Sequence, residues 1–446
     1  MNSRFKFVVV TSSTCLVIVL LLGAMRGRSA SPEDAYRHLA VYTEVLSRIK
    51  SDYVEEPDMK NVTLGAINGM LESIDPYASY LNAEQYKQWQ KEKDEHRAGV
   101  GLVISKKFGY VGVIDSVPGS PAAKAGLTTG DILETINGVA TRDMPLAYAE
   151  LLLTGEPGTS IELSVLRVRK PEPQKISLTR TNIQYPPVAA KLTPDQIGIL
   201  TVESLEPGEV KEVASQTEAL EKQGAKRFVL DLRDCSTGSP EQGVHLANLF
   251  VDKGLITYTL GQKSPRQNVD AVPSAAVTHL PLVVITNRGT ADGAEIAAAA
   301  LLDGKRAEVV GERTYGDAAI HKAITMDDGS AVILSIAKYY SPSGKAIQDT
   351  GVTPSVPVQQ ADASTPDVEE EAAAPPETPE QTQTKPGEDL LMKKAIEVLT
   401  QGKTAAATGE KPSPRPGSAP ATSPAPKIMT PLNIPKPQQP ETQPKP

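Results

Sequence analysis

The stretch that decides the fold reads LPLVVITNRGTADGAEIAAAALLDG over residues 280–304 and, after a short gap, VVGERTYGDAAIHK over residues 309–322. The apolar run Leu282–Ile285 predicts a buried strand, the alanine-rich segment Ala291–Leu302 a helix, and Glu308–Val310 a second strand. Strand, helix and strand in this order are typical of a βαβ unit. We therefore expect an α/β fold with a mostly parallel sheet.

The same alternation of strands and helices extends over residues 197–358. Further strands and helices are predicted, in chain order, at Gly208–Gln223 (helix), Phe228–Leu232 (strand), Gln242–Val251 (helix) and Ala331–Ser335 (strand). We expect one core domain over residues 171–358.

The quoted segments also resemble the catalytic core of the C-terminal processing peptidases (tail-specific proteases), which reads N-x-G-S/T-A-S-A-S/A-E-I and then G-E-x-T-x-G-K-x-x-x-Q. Matching residues fix the register: Asn287, Gly289, Ala291, Glu295, Ile296, Gly311, Glu312, Thr314 and Gly316. In the family the middle serine is the nucleophile and the lysine is its base. This chain has Asp292 and Asp317 at those two positions, and His321 at the position of the glutamine.

The resemblance implies a crotonase-like peptidase core that has lost its serine-type chemistry. A serine–lysine dyad needs a hydroxyl that attacks the amide and a neutral lysine that takes its proton. The carboxylate of Asp292 would give only a poor, readily reversed adduct. No serine lies between Ser274 and Ser330, and Thr290 lies two positions early. We therefore expect no intact catalytic residue and no serine-type activity.

The loop that forms the oxyanion hole in the family is altered as well. The family pattern D-L-R-x-N-P-G-G-x is here Asp231-Leu-Arg-Asp-Cys-Ser-Thr-Gly-Ser239. Gly238 is retained, but Thr237 replaces the other glycine and brings a branched side chain into a loop that must approach an oxyanion closely. Together with Ala291 and Gly293, these two residues make up the expected, altered hole.

Three alternatives would keep a different chemistry at this site. Asp292, Asp317 and His321 are ligand types that suit a divalent metal such as zinc or iron. The two aspartates could instead share a proton and activate water, as in aspartic proteases. Cys235 could act as a thiol nucleophile with His321 as its base, although a small residue packed at a strand end is the simpler interpretation. We expect no cofactor and no bound metal.

Residues 96–170 resemble a PDZ domain. Three glycine-containing motifs occur in order, Gly99–Ile104, Gly119–Leu127 and Gly130–Gly138, before a helix predicted at Leu146–Leu153. Such glycines let backbone N–H groups converge on a terminal carboxylate, and a strand edge beside a helix accepts an extended peptide by β-addition. The expected peptide-binding residues are Gly99, Val100, Gly101, Leu102 and Leu146.

Residues 31–95 predict helices, because apolar side chains recur at helical spacing. Within them, Asp75-Pro-Tyr-Ala-Ser-Tyr-Leu81 is similar to the D-P-H-S-x-Y-L stretch that precedes the PDZ domain in the family. The resemblance implies a dimerisation region, while a simple helical cap on the core is the alternative. Both interpretations remain open on the sequence alone.

The two ends of the chain differ from the rest in composition. Residues 1–30 contain a basic start and an apolar run over 7–25, which predicts a signal peptide or, because no clean cleavage site follows, an uncleaved membrane anchor. Residues 359–446 are rich in Pro, Ala, Glu, Gln and Thr and are expected to be disordered, apart from a short amphipathic helix at 388–400.

These observations lead to one principal hypothesis and one alternative. The principal hypothesis is an extracytoplasmic, non-catalytic homologue, in the periplasm or cell envelope, that binds extended polypeptide C-termini as a homodimer or with an active protease. The alternative is an active peptidase with a metal or paired-aspartate site. The net charge of −8 and the lack of a basic stripe argue against a nucleic-acid partner.

Overall fold

The computed structural model of the protein describes residues 32–95, 98–107, 109–142, 144–167, 170–358 and 389–401. The apolar run at 7–25 and most of the C-terminal tail lie outside these residues, so the expectations for them are not tested. Among the described residues, no helix combines the length and the apolar character that a membrane span requires.

The N-terminal part contains three helices and one short strand. They are α1 (Pro32–Asp52), α2 (Met59–Glu72), β1 (Ser79–Leu81) and α3 (Ala83–Glu95). Asp58 caps α2, since its carboxylate accepts the backbone N–H of Lys60 at 3.0 Å and that of Asn61 at 3.3 Å. The helices agree with the expectation for this region, while β1 joins a sheet of the core far along the chain.

A five-stranded antiparallel sheet, extended by one short strand, follows in the PDZ region. Its elements are β2 (Leu102–Lys107), β3 (Tyr110–Ser116), α4 (Pro121–Lys124), β4 (Ile132–Ile136), β5 (Val139–Ala140), α5 (Leu146–Leu153), β6 (Ser160–Arg167) and β7 (Lys170–Thr179). The strand order is β2-β3-β4-β6-β7, and β5 pairs with β4. The helix α5 has the bounds that the sequence predicts and packs against β2.

The core domain is built on a six-stranded sheet with the order β17-β14-β13-β10-β9-β8, in which only β8 is antiparallel. Its elements are β8 (Ala189–Leu192), β9 (Ile197–Thr201), α6 (Glu209–Lys222), β10 (Arg227–Asp231), α7 (Pro240–Asn248), β13 (Leu282–Thr286), α8 (Gly293–Asp303), β14 (Ala307–Gly311), β17 (Val356–Pro357) and α9 (Leu390–Thr400). The mostly parallel sheet confirms the fold class.

Helices cover both faces of this sheet, as its continuous apolar strands require. Side chains alternate along each strand: Phe228 and Leu230 face the cluster formed with α6, α7 and α8, whereas Val229 faces the cluster formed with α9. The helix α7 begins earlier than predicted, at Pro240, because the Ser239 hydroxyl caps it by accepting the Gln242 N–H at 3.3 Å.

A second, antiparallel sheet lies in the core and was not predicted, and the predicted strand Ala331–Ser335 belongs to it rather than to the parallel sheet. It contains β11 (Leu255–Leu260), β12 (Gln267–Asp270), β15 (Ala319–Thr325) and β16 (Ala331–Tyr340) together with β1, in the order β1-β16-β11-β12, and β15 pairs with the other side of β16. The strand β15 leads directly away from Asp317, so this sheet forms one wall of the candidate site.

Candidate active site

Asp292 lies on a strained connection between a strand and a helix. The strand β13 ends at Thr286, the helix α8 begins at Gly293, and Asp292 has φ 48° and ψ −118°. A positive φ is costly for a residue that has a Cβ, and it persists only where surrounding contacts hold the backbone. Nucleophiles of several hydrolases lie on sharp strand-to-helix turns of this kind. The backbone at residue 292 therefore has the geometry of a nucleophile position, although the side chain there is a carboxylate.

The buried carboxylate of Glu295 connects the two aspartates. Its Oε2 accepts the backbone N–H of Asp292 at 3.1 Å and that of Asp317 at 2.7 Å, and its Oε1 accepts the Gly316 N–H at 2.7 Å and the Thr314 hydroxyl. Because one oxygen accepts both aspartate amides, their nitrogens are no farther apart than the sum of these two distances. The structure thus places the backbones of Asp292 and Asp317 next to each other on Glu295.

Burial raises the pKa of all three carboxyl groups, and neighbouring charges add to this effect at the two aspartates. Burial, and then the charges of Asp317 and Glu295, raise the pKa of Asp292 well above its usual range. Burial, and then the charge of Glu295, raise the pKa of Asp317 to about 8. Burial raises the pKa of Glu295 to about 7, although its hydrogen bonds act in the opposite direction. At neutral pH the site therefore retains protons and offers no ready base.

His321 lies apart from the two aspartates. Its side chain is exposed, and one face of its ring meets Tyr77 with the ring centroids 5.7 Å apart. Burial of this face lowers its pKa, and the nearby charge of Asp75 partly offsets that effect. No three His, Cys, Asp or Glu side chains within the described ranges are placed to hold a metal ion. The metal alternative therefore gains no geometric support there.

Two tyrosines that sequence reasoning did not single out lie near the carboxyl groups, and one of them, Tyr77, also contacts His321. Tyr77 and Tyr315 are hydrogen-bonded to each other through their side chains, and burial together with the charge of Asp317 raises the pKa of both. The backbone N–H of Tyr315 donates to the Thr290 carbonyl at 2.9 Å. Tyr77 belongs to the motif that precedes the PDZ domain, which was the available signal for its role.

The loop 231–239 is shaped by packing. Gly238 has φ +112°, and a Cβ there would lie 2.4 Å from the Leu205 carbonyl oxygen, so only glycine fits this position. The Oγ1 atom of Thr237 is buried and has no hydrogen-bond partner among the described residues. The Ala291 N–H donates to the Cys235 carbonyl at 3.0 Å and is therefore not available to an oxyanion.

Gly293 and Cys235 complete the neighbourhood of this loop. A Cβ at Gly293 would lie 2.5 Å from the Ser239 carbonyl oxygen, so this glycine lets α8 approach the loop closely. Cys235 is fully buried in the main hydrophobic cluster, and burial raises the pKa of its thiol. A buried thiol with a raised pKa is a poor nucleophile, so its packing role is the better supported interpretation.

The two threonine hydroxyls nearest to Asp292 and Glu295 along the motifs already have structural partners. The Thr290 hydroxyl donates to the Leu232 carbonyl at 2.7 Å. The Thr314 hydroxyl donates to Glu295 and accepts the Val352 N–H at 2.7 Å. Both side chains are almost completely buried. Neither hydroxyl is placed to replace the missing serine.

Arg233 connects the loop 231–239 to the C-terminal helix α9. Its guanidinium donates to the Asp231 carboxylate at 2.6 and 2.8 Å and to the Asp389 carboxylate at 2.9 and 3.1 Å. Paired acceptors for one planar guanidinium fix its orientation. The beginning of the loop is therefore braced by a residue outside the core domain.

The expected peptide-binding residues of the PDZ region lie together at the start of β2 and of α5. Gly101 has φ +76°, and a Cβ there would collide with the Ser120 side chain at 2.3 Å. Val100 and Leu146 are buried, and Leu102 packs against the same hydrophobic cluster. Gly99 is held in place by Thr181, with hydrogen bonds of 2.9 and 3.0 Å between their backbones.

The PDZ region contacts the loop 231–239 directly. The Ser236 hydroxyl donates to the Asp115 carboxylate at 2.9 Å, and both side chains are buried. Burial, and then the charge of Asp234, raise the pKa of Asp115 to about 6. Tyr77 and Tyr315 also pack against the hydrophobic cluster of the PDZ region. The candidate site is therefore enclosed by the core, the PDZ region and the N-terminal part together.

All three parts of the chain match known protein families. Residues 196–358 match peptidase family S41, residues 112–167 a PDZ domain, and residues 23–85 the N-terminal domain of the activating protease CtpB. The carboxy-terminal processing protease CtpA of Bacillus subtilis is 32% identical over 79% of this chain and 76% of its own length. The carboxyl-terminal-processing protease of Synechocystis is 34% identical over 70% of this chain and 75% of its own length.

Solved structures give the same result. The photosystem II D1 C-terminal processing protease superimposes with a TM-score of 0.60 and 28% identity, covering 72% of this chain and 92% of that protease. The identity to these proteases extends over most of their length and most of this chain, and the architecture is shared. Both findings point to the same family as the motifs that contain Asp292 and Asp317. The chain therefore belongs to peptidase family S41.

Proposed function

We propose that the protein is a non-catalytic member of its family that binds extended or unfolded polypeptide C-termini. One observation carries this proposal: two carboxyl groups, Asp292 and Asp317, occupy the positions where the family resemblance places a nucleophilic hydroxyl and an amine base. Their backbone N–H groups share one hydrogen-bond acceptor, Glu295, and burial raises the pKa of both carboxyl groups.

The chemistry of these groups supports the loss of peptide hydrolysis. A general base must be able to accept a proton at the working pH. With a pKa of about 8, the Asp317 carboxyl is mostly protonated at neutral pH and does not meet this condition. The nearby hydroxyls of Thr290 and Thr314 are bound to Leu232 and Glu295. A Ser–Lys mechanism thus has neither of its two groups.

Peptide binding is supported by the PDZ region, which does not depend on the lost residues. The sharp turn at Gly101 precedes β2, and β2 is an edge strand that lies beside α5. A strand edge beside a helix is the arrangement that takes up an extended C-terminus by β-addition. The proteases to which the chain is similar are named for processing C-termini.

The proposal is tested by incubating the full-length protein with an unfolded substrate that has an apolar C-terminus, with and without EDTA. The matched variant carries Asp292→Ser, Asp317→Lys and His321→Gln. We expect the native protein to bind the substrate and to leave it intact. Partial recovery of cleavage in the variant would show that the rest of the machinery survives, and its absence would agree with the altered loop at Thr237.

Cleavage by the native protein would overturn the non-catalytic proposal. The paired aspartates are the alternative with an observation in its favour, because Asp292 and Asp317 interact and both have a raised pKa. Cleavage that resists EDTA and is lost in both Asp292→Asn and Asp317→Asn would establish that alternative. Cleavage that EDTA abolishes would instead require a metal.

We infer further that the N-terminal helices form a homodimer interface. Leu39, Val41 and Val45 on α1 and Met70 on α2 are exposed, although the apolar spacing of α1 is that of a helix with one buried face. Sedimentation of the full-length protein against a Val41→Glu/Val45→Glu variant tests this inference. An unchanged mass in the variant, or a dimer only with an active relative, would contradict it.

We also propose an extracytoplasmic location. The support is the basic residues Arg4 and Lys6, followed by the apolar run at 7–25, which is the pattern of an exported or membrane-anchored protein. Fractionation of cells that express the full chain tests this proposal, and recovery of the protein in the cytosol would contradict it.

A further inference from the structure

Among the described residues, no strand pairs with the outer edge of β15. This strand pairs with β16 on one side, and on the opposite side of β16 lie β1 and β11. Among the described residues, β15 packs extensively against β16 alone. His321, Lys322, Ile324 and Thr325 along it are exposed. The strand begins two residues after Asp317, so its open edge runs directly out of the candidate site.

The hydrogen-bond pattern shows which residues of β15 point their backbone groups outward. The Met326 N–H donates to the Ser330 carbonyl at 2.8 Å, which makes these two residues a hydrogen-bonded pair. In an antiparallel ladder such pairs alternate with non-bonded ones. Ile324 and Lys322 therefore bond to β16, and the backbone groups of Thr325, Ala323 and His321 face away from it. The alternation applies only as far as His321, because the ladder has a bulge between Ile320 and His321.

The pairing of β1 with the other side of β16 is compatible with this alternation. Ser79 and Leu81 of β1 lie opposite Ile333 and Ala331. The alternation leaves those two residues without hydrogen bonds to β15, so their backbone groups face β1. The two strands therefore share β16 without competing for the same backbone groups.

Apart from β2, the edge strand beside α5 in the PDZ region, the other sheet edges in the described residues carry protection that β15 lacks. The edge strand β7 contains two prolines and several charged residues, β12 and β8 have four residues each, and β17 has two. Short edges, charges and prolines are the usual means of preventing unwanted strand pairing. In contrast, β15 has seven residues, no proline and one lysine. An edge left open in this way beside a site is suited to strand addition.

We propose that the outer edge of β15 binds an extended polypeptide segment as an added strand, through the backbone groups of His321, Ala323 and Thr325. This inference rests on the proposed function, since the segment belongs to the polypeptide whose C-terminus the PDZ region holds. Only an extended chain presents alternating donors and acceptors that match those of a strand edge.

Continuity between the two binding regions argues for this occupant. Ala147 at the start of α5 and Ala323 in β15 belong to one hydrophobic cluster, together with Leu81 and Ile333. The PDZ helix and the open edge are therefore neighbours. A polypeptide that leaves the PDZ groove needs to span only the distance across this cluster before it meets β15.

The experiment uses fluorescent peptides of about 14 residues with an apolar C-terminus, long enough at about 3.3 Å per residue to pass from the PDZ groove to the edge. Two variants carry N-methyl groups at alternate residues of the N-terminal half, in the odd and in the even positions. Binding to the full-length protein is measured by anisotropy. We expect one set to weaken binding at least about tenfold, because an added strand donates from alternate residues only.

A protein variant provides a second measurement. Ala323→Pro removes one outward N–H and leaves the bonds to β16 in place, because Ala323 is one of the outward residues, and proline is tolerated at such edge positions. Ala323→Ser keeps the N–H and is the matched control. We expect the proline variant to weaken binding several-fold and the serine variant to bind as the native protein does, with unchanged thermal melting in both.

Different outcomes separate this inference from the proposed function. If both N-methyl sets bind like the parent peptide while amidation of the C-terminus abolishes binding, the edge proposal is overturned and PDZ capture stands. If the parent peptide does not bind, or binds equally well when amidated, both fail. Should Ala323→Pro melt early, the N-methyl peptides decide the matter, since they leave the protein unchanged.

Discussion

At the scale of single residues, Glu295 explains how the site keeps its shape with aspartates at positions 292 and 317. A buried carboxylate is costly unless hydrogen bonds satisfy it, and Glu295 accepts four of them, from Asp292, Thr314, Gly316 and Asp317. These bonds hold the strained turn and the start of β15 in position whatever side chains stand at 292 and 317. The shape of the scaffold therefore does not depend on which side chains stand at these two positions.

Replacing Glu295 should destabilise the protein more than any change at the two aspartates. Glu295→Ala leaves three buried N–H groups and one hydroxyl without their acceptor, and we expect a loss of about 3 kcal/mol in the free energy of unfolding. Glu295→Gln keeps one carbonyl oxygen and should cost about half as much. Urea unfolding measures both, and equal stability of Glu295→Ala and the native protein would refute the argument.

The raised pKa values predict that stability falls as the pH rises. The Asp317 carboxyl holds its proton up to about 8 in the folded protein, against 3.8 for the ordinary group, so between these values the folded state binds more protons than the unfolded chain. Asp317→Asn removes this difference. Its stability relative to the native protein should increase from pH 4 to pH 8 and then stay constant, reaching about 2 kcal/mol after allowance for solvent screening.

Urea unfolding of native and Asp317→Asn protein across this pH range tests the prediction. Asp195→Asn is the matched control, because Asp195 is exposed in a turn. A gap between Asp317→Asn and the native protein that does not change with pH would contradict the predicted proton linkage.

The proximity of Asp292 and Asp317 could be predicted from the motifs, because the matching segments that contain both residues also contain Glu295, which accepts both of their backbone N–H groups. His321 was grouped with them only by its position in the motif. A bulge after Ile320 and the ring of Tyr77, which comes from a distant part of the chain, give it a different environment. The use of the Ala291 N–H by Cys235 is a matter of backbone geometry that residue types do not encode.

At the scale of elements, the helix α9 shows how a short amphipathic pattern becomes part of the core. Leu391, Ala395 and Leu399 recur at helical spacing and are buried against the outer face of the central sheet. Arg233 and Asp389 join the start of this helix to the loop 231–239. Docking of α9 therefore stabilises both the sheet and the loop beside the site.

We expect Leu391→Ala to lower the stability of the protein by about 2–4 kcal/mol, because it opens a cavity under α9. The exposed position Lys393 provides the control Lys393→Ala, for which we expect a change below about 0.5 kcal/mol. Hydrogen exchange should become faster in α9 and in the loop 231–239 of Leu391→Ala. Faster exchange in α9 alone would show that the helix does not support the loop.

The elements of the parallel sheet could be predicted because each strand and the following helix are close in sequence and show clear apolar patterns. The antiparallel sheet could not be predicted in the same way. Its strands β11 and β16 pair across about 80 residues, and β1 pairs with β16 across a still longer separation. Short strands of mixed polarity, such as Gln267–Asp270, give little periodic signal.

At the scale of the whole molecule, three parts of the chain meet around the site. The N-terminal part contributes Asp75, whose carboxylate accepts hydrogen bonds from Ser335 and Gln348 of the core. It also contributes Ser79, whose hydroxyl accepts the Ala147 N–H at the start of the PDZ helix at 3.2 Å. Such shared contacts make the orientation of the PDZ region dependent on both other parts.

The contact between Ser236 and Asp115 is the point where the PDZ region touches the altered loop, and it yields a prediction about the whole molecule. Ser236→Ala leaves the buried Asp115 carboxyl without the hydroxyl that lowers its pKa, so we expect this pKa to rise above about 6 and the free energy of unfolding to fall by about 1–2 kcal/mol. Asp115→Asn keeps an acceptor for the hydroxyl and should cost less.

A double-mutant cycle of the two changes isolates their coupling, and hydrogen exchange shows which elements it connects. We expect faster exchange in β3 and in the loop 231–239 together, because the contact joins them. Coupling near zero, or faster exchange in β3 alone, would mean that the PDZ region is held in place by Tyr77, Tyr315 and Ser79 without help from this loop.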